Sequence, residues 1–104
     1  MNDEDVLKIL VALGDAKRFD ILRKVGAKPG LASSDLKSGN SGSTTSHHIK
    51  ILIDARVLEA VKDGKHVRYN LHRGTLASFS HWAAGQAEQA TFNDLAQYLS
   101  DNPE

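Results

Sequence analysis

The sequence of 104 residues contains no cysteine. That removes disulfides, thiolate metal sites and thiol redox sensing, and it fits a reducing cytoplasmic setting. No apolar run approaches the roughly 20 residues of a membrane span. The opening Met1-Asn2-Asp3-Glu4-Asp5 is acidic, unlike a secretory leader. No internal repeat and no low-complexity tail is present. There is no phosphate loop, no nucleophile elbow and no metal-ligand cluster, and the five histidines are dispersed, so the expectation is a protein that is not an enzyme and carries no metal or cofactor. Nor is there an excess of one charge. Thirteen Lys and Arg balance thirteen Asp and Glu, and the formal net charge is zero.

What is present is an ordinary globular composition, with 40% apolar and 25% charged residues. The length implies a single domain over 1–104, marginal alone and stabilised by burying more surface in a dimer. The balanced charge is unevenly placed. Asp3, Glu4, Asp5 and Asp15 oppose only Lys8 in residues 1–16, and residues 74–104 carry Glu88, Asp94, Asp101 and Glu104 with no Lys or Arg. The segment between is basic and holds four of the five histidines. A basic centre between acidic ends suits phosphates.

Val6, Ile9, Leu10 and Leu13 lie at helical spacing, with Gly14 as a stop. Asp15 then caps a second helix whose stripe is Ile21, Leu22 and Val25. Gly26 to Gly30 reads as a loop, and Ser33 or Ser34 caps a short third helix containing Leu36. Residues 37–46 have the composition of a flexible linker. Ser41 or Ser43, however, precedes a periodic segment with Thr45, Ile49, Leu52 and Ile53 on one face, so a turn entering a fourth helix is the better reading. Two strand-like runs follow, Val57–Lys62 and Lys65–Leu71, around Asp63-Gly64, a strong hairpin signal. A two-residue turn there pairs 62 with 65, 60 with 67 and 58 with 69, and sets Glu59 opposite Arg68. The tail is helical, with Leu76, Phe79, Ala83, Ala87 and Ala90 in one stripe and Thr91 capping a last turn. The expected fold is mainly α with a β-hairpin wing, in the order helix, helix, helix, helix, hairpin, helix.

Three blocks carry a family likeness. They are Ala12-Leu13-Gly14-Asp15 with Arg18 and Ile21-Leu22; Ser43-Thr44-Thr45-Ser46-His47-His48-Ile49-Lys50-Ile51-Leu52; and Gly64-Lys65-His66-Val67-Arg68-Tyr69-Asn70-Leu71. In order and spacing, over roughly residues 6–72, the chain resembles the ArsR/SmtB family of bacterial winged helix-turn-helix repressors. The resemblance implies a repressor that dimerises through its first and last helices. The chain departs from the family in having nothing apolar between Leu36 and Thr45, in a shortened 37–42 turn, and in lacking the cysteines of its metal sensors. The zinc pattern of other members is not matched either, since the last helix offers only His81 and Glu88.

On that fold the outward face of the fourth helix holds Ser43, Thr44 and His47, which reach base edges, with Lys50 on a phosphate and His48 on the flank. His47 and His48 diverge by about 100° and make a poor metal pair. Lys62, Lys65 and Arg68 form the basic wing. Val6, Leu10, Leu76, Phe79, Trp82 and Ala83 form the dimer interface. The expected function is sequence-specific binding of double-stranded DNA by a homodimer on a near-palindromic operator, with no membrane association. No residue specifies a small-molecule effector. The competing reading is a winged-helix protein-interaction module that has lost DNA binding, favoured by the polar turn at 37–42.

Overall fold

The computed structural model describes residues 1–103. Helix α1 spans Asp3–Leu13. Asn2 caps it by accepting from the Asp5 amide at 2.8 Å, and the acidic first turn complements the positive end of the helix. Helix α2 spans Ala16–Ala27. Its cap is Asp15, whose carboxylate accepts from the amides of Lys17 at 2.9 Å and Arg18 at 3.1 Å. Gly26, expected in a loop, belongs to the last turn of α2. There the helix passes so close to the wing that an added Cβ would lie 3.3 Å from Leu71 Cδ1.

The expected third helix is a single 3-10 turn, Ser33–Leu36. Neither serine caps it. Asp35 instead reaches back and accepts from the Ala32 amide at 2.9 Å. The chain then turns sharply through Ser38 and Gly39, with φ of 44° and 82°. Among the described residues this leaves four α-helices, not five.

Helix α3 spans Gly42–Asp54 and is capped by Ser41. Its inward residues Thr45, Ile49 and Leu52 are buried, and Ile49 and Leu52 join Ile9, Ile21, Val25 and Leu36 in the core. Where an apolar anchor was missed in the sequence, Thr45 serves. It is buried, and its hydroxyl donates to the Ser41 carbonyl at 2.9 Å. The helix ends in a Schellman turn. The Val57 amide donates to the Leu52 carbonyl and the Arg56 amide to that of Ile53, both at 2.9 Å. Arg56 sits left-handed at φ 61° to allow this.

Strands β1 (Leu58–Asp63) and β2 (His66–Leu71) form the wing. The observed register pairs Lys62 with Val67, Ala60 with Tyr69 and Leu58 with Leu71. This corrects the expected pairing by two residues. The turn is Gly64-Lys65, with a positive φ at Gly64 only, as a type II′ hairpin requires. A slip of two preserves the face, so Leu58 and Tyr69 still point inward. Leu31 adds a one-residue bridge on the far side of β2.

Helix α4 runs unbroken from Arg73 to Asp101. His72 caps it, its Nδ1 accepting from the Thr75 amide at 3.2 Å. Thr91 starts no new helix: it lies inside α4, where its hydroxyl donates back to the Ala87 carbonyl at 3.0 Å. Leu76 and Phe79 pack on the core, and Trp82 stacks on Phe79. From Gln86 onward every described residue is exposed. Among the described residues no helix is long and apolar enough to cross a membrane.

Candidate nucleic-acid interface

Burying one face of α3 fixes the other. Ser43, Thr44, His47 and Lys50 are exposed and His48 is half-buried. At the helix start the hydroxyls are ordered around Ser41. Its oxygen accepts from the Thr44 amide at 3.1 Å, and its proton goes to Thr44 Oγ1 at 2.9 Å. Ser43, 3.2 Å away, is left to donate to Ser41. Thr44 therefore keeps a proton to donate outward, and Ser43 keeps lone pairs to accept. Lys50 pairs with Asp54 at 2.9 Å, one turn on, with both groups in solvent. Such a pair is worth about 0.3–0.5 kcal/mol.

His48 is more tied down than the sequence suggests. Arg18 Nη1 lies 3.3 Å from its Nδ1. The same guanidinium donates through Nε to the Ala12 carbonyl at 2.7 Å and through Nη2 to that of Val11 at 3.3 Å. Arg18 thus neutralises the carbonyl end of α1 while touching α3. Asp15 completes the joint. Its carboxyl is held below the usual range chiefly by the Arg18 amide, with the Arg18 charge and the Lys17 amide adding to the effect against some desolvation. Asp20 is likewise held low, first by its hydrogen bond from Lys24 and then by Ser38. Ser38 donates to Asp20 at 3.1 Å and receives Lys24, which also pairs with Asp20 at 3.0 Å. The turn before α3 is therefore anchored on α2.

In the wing, Lys62 and Lys65 are exposed, but they do not face each other. Lys65 occupies the turn itself. The expected Glu59–Arg68 pair is also absent, because Glu59 lies opposite Asn70. Arg68 donates to Asp63 at 3.1 Å and to the Gly30 carbonyl at 3.2 Å. It braces the wing against the loop after α2, and among the described residues Lys62 and Lys65 have no ion-pair partner. The expected interface residues also separate. Val6 is 2% exposed and belongs to the interior of the protomer. Leu76, Phe79 and Trp82 are half-buried, whereas Leu10 and Ala83 are exposed. Among the described residues no group of three or more His, Asp or Glu is placed to hold a metal ion.

Sequence reasoning missed the Arg18 clamp, the His72 cap and the Leu31 bridge. The first spans thirty positions and leaves no local signal. The second had one, His-x-x-Thr before a helical stripe.

No family model matches the sequence, and no curated protein matches it. Solved structures do. An ArsR-like transcriptional regulator from Rhodococcus sp. RHA1 superposes with a TM-score of 0.77 at 21% identity, over 93% of this chain and 92% of that one. An ArsR family transcriptional regulator gives 0.76 at 22% identity, over 88% and 95%. The homodimeric winged helix-turn-helix DNA-binding domain of a possible ArsR-family regulator from Mycobacterium bovis gives 0.64 at 18%, over 85% and 89%. With its four helices, its hairpin wing and this likeness, the chain has the winged helix-turn-helix fold of ArsR-family transcriptional regulators.

Proposed function

We propose that this protein is a cytoplasmic, homodimeric regulator that binds double-stranded DNA sequence-specifically and represses transcription from a near-palindromic operator; it is not an enzyme. The observation that carries this is the exposed polar start of α3. Ser43, Thr44 and His47 stand out from a helix whose opposite face is locked into the core. N-terminal residues of a recognition helix are those that reach base edges in the major groove. Lys62 and Lys65 on the wing supply phosphate contacts.

The shape of the protomer supports a dimer. Its extents are 69 × 25 × 24 Å and its radius of gyration is 18.6 Å, against about 13 Å for a compact chain of this length. The excess comes from α4. At about 100° per residue, Phe92, Leu95 and Leu99 lie roughly opposite the stripe of Leu76, Phe79 and Ala83. One face of α4 serves its own core, and the other, with Phe92 65% exposed, has nothing to pack on within the protomer. Leu7, Leu10 and Val11 on α1 are exposed too. A second copy covers both sets, so the interface moves outward from Val6 to these residues. The Mycobacterium bovis neighbour is described as homodimeric.

Light scattering on the purified protein, with and without Phe92→Asp and Leu95→Asp, tests this. A dimer that the substitutions split into helical monomers with weakened duplex binding supports the proposal. A monomeric wild type that still binds DNA tightly overturns it. The reading as a protein-interaction module rested on the 37–42 turn. That turn is closed by an Asn40 amide to Lys37 carbonyl bond at 2.8 Å and tied to α2 through Ser38, so the turn itself does not favour that reading.

A further inference from the structure

We infer that Arg18 is a positioning residue that fixes the tautomer of His48, so that the recognition helix presents His48 Nε2–H as a neutral donor to a DNA phosphate oxygen. The inference rests on the DNA-binding reading and adds a specific group and chemistry to it. A guanidinium has only donors, so at 3.3 Å from Nδ1 it requires that nitrogen to be the acceptor. A neutral imidazole accepting at Nδ1 carries its proton on Nε2. The two ring nitrogens look in nearly opposite directions, so the Nε2–H turns away from Arg18. Among the described residues it meets no partner.

The clamp has a firm base. Arg18 is held by two carbonyls at the end of α1, Ala12 at 2.7 Å and Val11 at 3.3 Å. Its own amide is held by Asp15 at 3.1 Å. His48 is half-buried between exposed His47 and buried Ile49. Its ring is therefore aimed by the joint between α1 and α2, whereas the His47 ring, 6.3 Å away, has no such partner among the described residues. The orientation of the proposed donor is thus set by Arg18 of α2, itself seated on the carbonyl end of α1.

Two measurements on the full-length protein test this. Nitrogen-15 histidine spectra near neutral pH should show His48 as a single Nε2–H tautomer and His47 as a mixture, and Arg18→Lys should make His48 mixed as well. Binding is then measured to a duplex selected by the wild-type protein from a random-sequence pool. His48→Ala should weaken it by about threefold to tenfold, the usual span of one hydrogen bond. His48→Gln, which keeps an N–H at a similar reach, should restore most of that loss. Neither should change the salt slope, because a neutral donor releases no counterion. A mixed His48 tautomer in the wild type, or failure of Gln to rescue, overturns the inference. Because the wild-type spectrum suffices, a poorly folded Arg18→Lys does not decide the matter. A mixed tautomer with salt-sensitive duplex binding leaves the DNA reading intact. A fixed tautomer with no duplex selected overturns the DNA reading, and the donor role with it.

Discussion

Arg68 Nε donates to the Asp63 carboxylate at 3.1 Å, across the base of the Gly64-Lys65 turn. The pair joins the last residue of β1 to the body of β2, and the Arg68 bond to Gly30 fastens both to the loop after α2. The wing is therefore braced through Arg68, while Lys62 and Lys65 are the exposed cations proposed to meet phosphate. Lys65→Ala and Lys62→Ala should each lower the slope of log affinity against log salt by about one, with little loss of stability. Arg68→Ala should lower stability and affinity with a smaller change of slope. Duplex titrations between low and physiological salt check this, and equal slopes for all three variants would contradict it.

Ser41 caps α3 and orders the hydroxyls of Ser43 and Thr44. Ser41→Ala should cost about 1 kcal/mol in denaturant unfolding, the usual value of such a cap. Ser41→Asp keeps a capping oxygen and should hold most of the stability, yet it places a negative charge at the helix start proposed to approach phosphate. Stability and affinity should then separate. An Asp variant that binds DNA as well as the wild type would mean that this end of α3 does not approach the duplex.

Arg56 is left-handed at φ 61° to complete the turn between α3 and β1. That conformation costs a residue with a Cβ about 1–2 kcal/mol. Glycine removes this cost but adds freedom to the unfolded chain, worth about 0.4–1 kcal/mol. Arg56→Gly should therefore stabilise the protein by about 0.5–1 kcal/mol, read as a higher urea midpoint at unchanged m-value. A β-branched residue at the same position should destabilise it.

Asp15 stays ionised to lower pH in the folded protein than in the unfolded chain, because the amides of Arg18 and Lys17 and the Arg18 charge favour its carboxylate. Its contribution is complete above the unfolded value of about 4 and is lost as pH falls through the folded one. Asp15→Asn keeps a capping oxygen and removes the titration. The gap in melting temperature between wild type and Asp15→Asn should narrow as pH drops from about 5 to about 3. Parallel curves over that range would show that Asp15 contributes nothing through its charge.

The periodic parts of this fold were legible because burial leaves a period. Thr45, Ile49 and Leu52 marked the inward face of α3, and that face identified Ser43, Thr44 and His47 on the other side. The hairpin was legible, but its register was not. Turns at Asp63-Gly64 and at Gly64-Lys65 bury the same side chains, so the apolar pattern cannot choose between them. The choice falls to backbone geometry, since the observed turn asks a positive φ of glycine alone. The third helix was overread because Ser33, Ser34 and Leu36 mimic a capped start, while Ser38 and Gly39 bend the chain after one turn. Arg68 was placed on DNA by its charge, and His48 by its position on the flank of the recognition helix. Their partners, Asp63 and Gly30 for one and Arg18 for the other, follow from tertiary packing.

The central claim is that a dimer of this chain reads base sequence through the start of α3. The most direct measurement is the affinity of the full-length protein for a selected duplex against a scrambled one, at about 0.15 M salt, for wild type and for Thr44→Ala with His47→Ala. The account predicts a strong preference that depends on two half-sites about 10 base pairs apart. The double substitution should erase the preference while salt-sensitive, non-specific binding persists. Equal affinity of the wild type for both duplexes, or a preference that survives loss of Thr44 and His47, would contradict it.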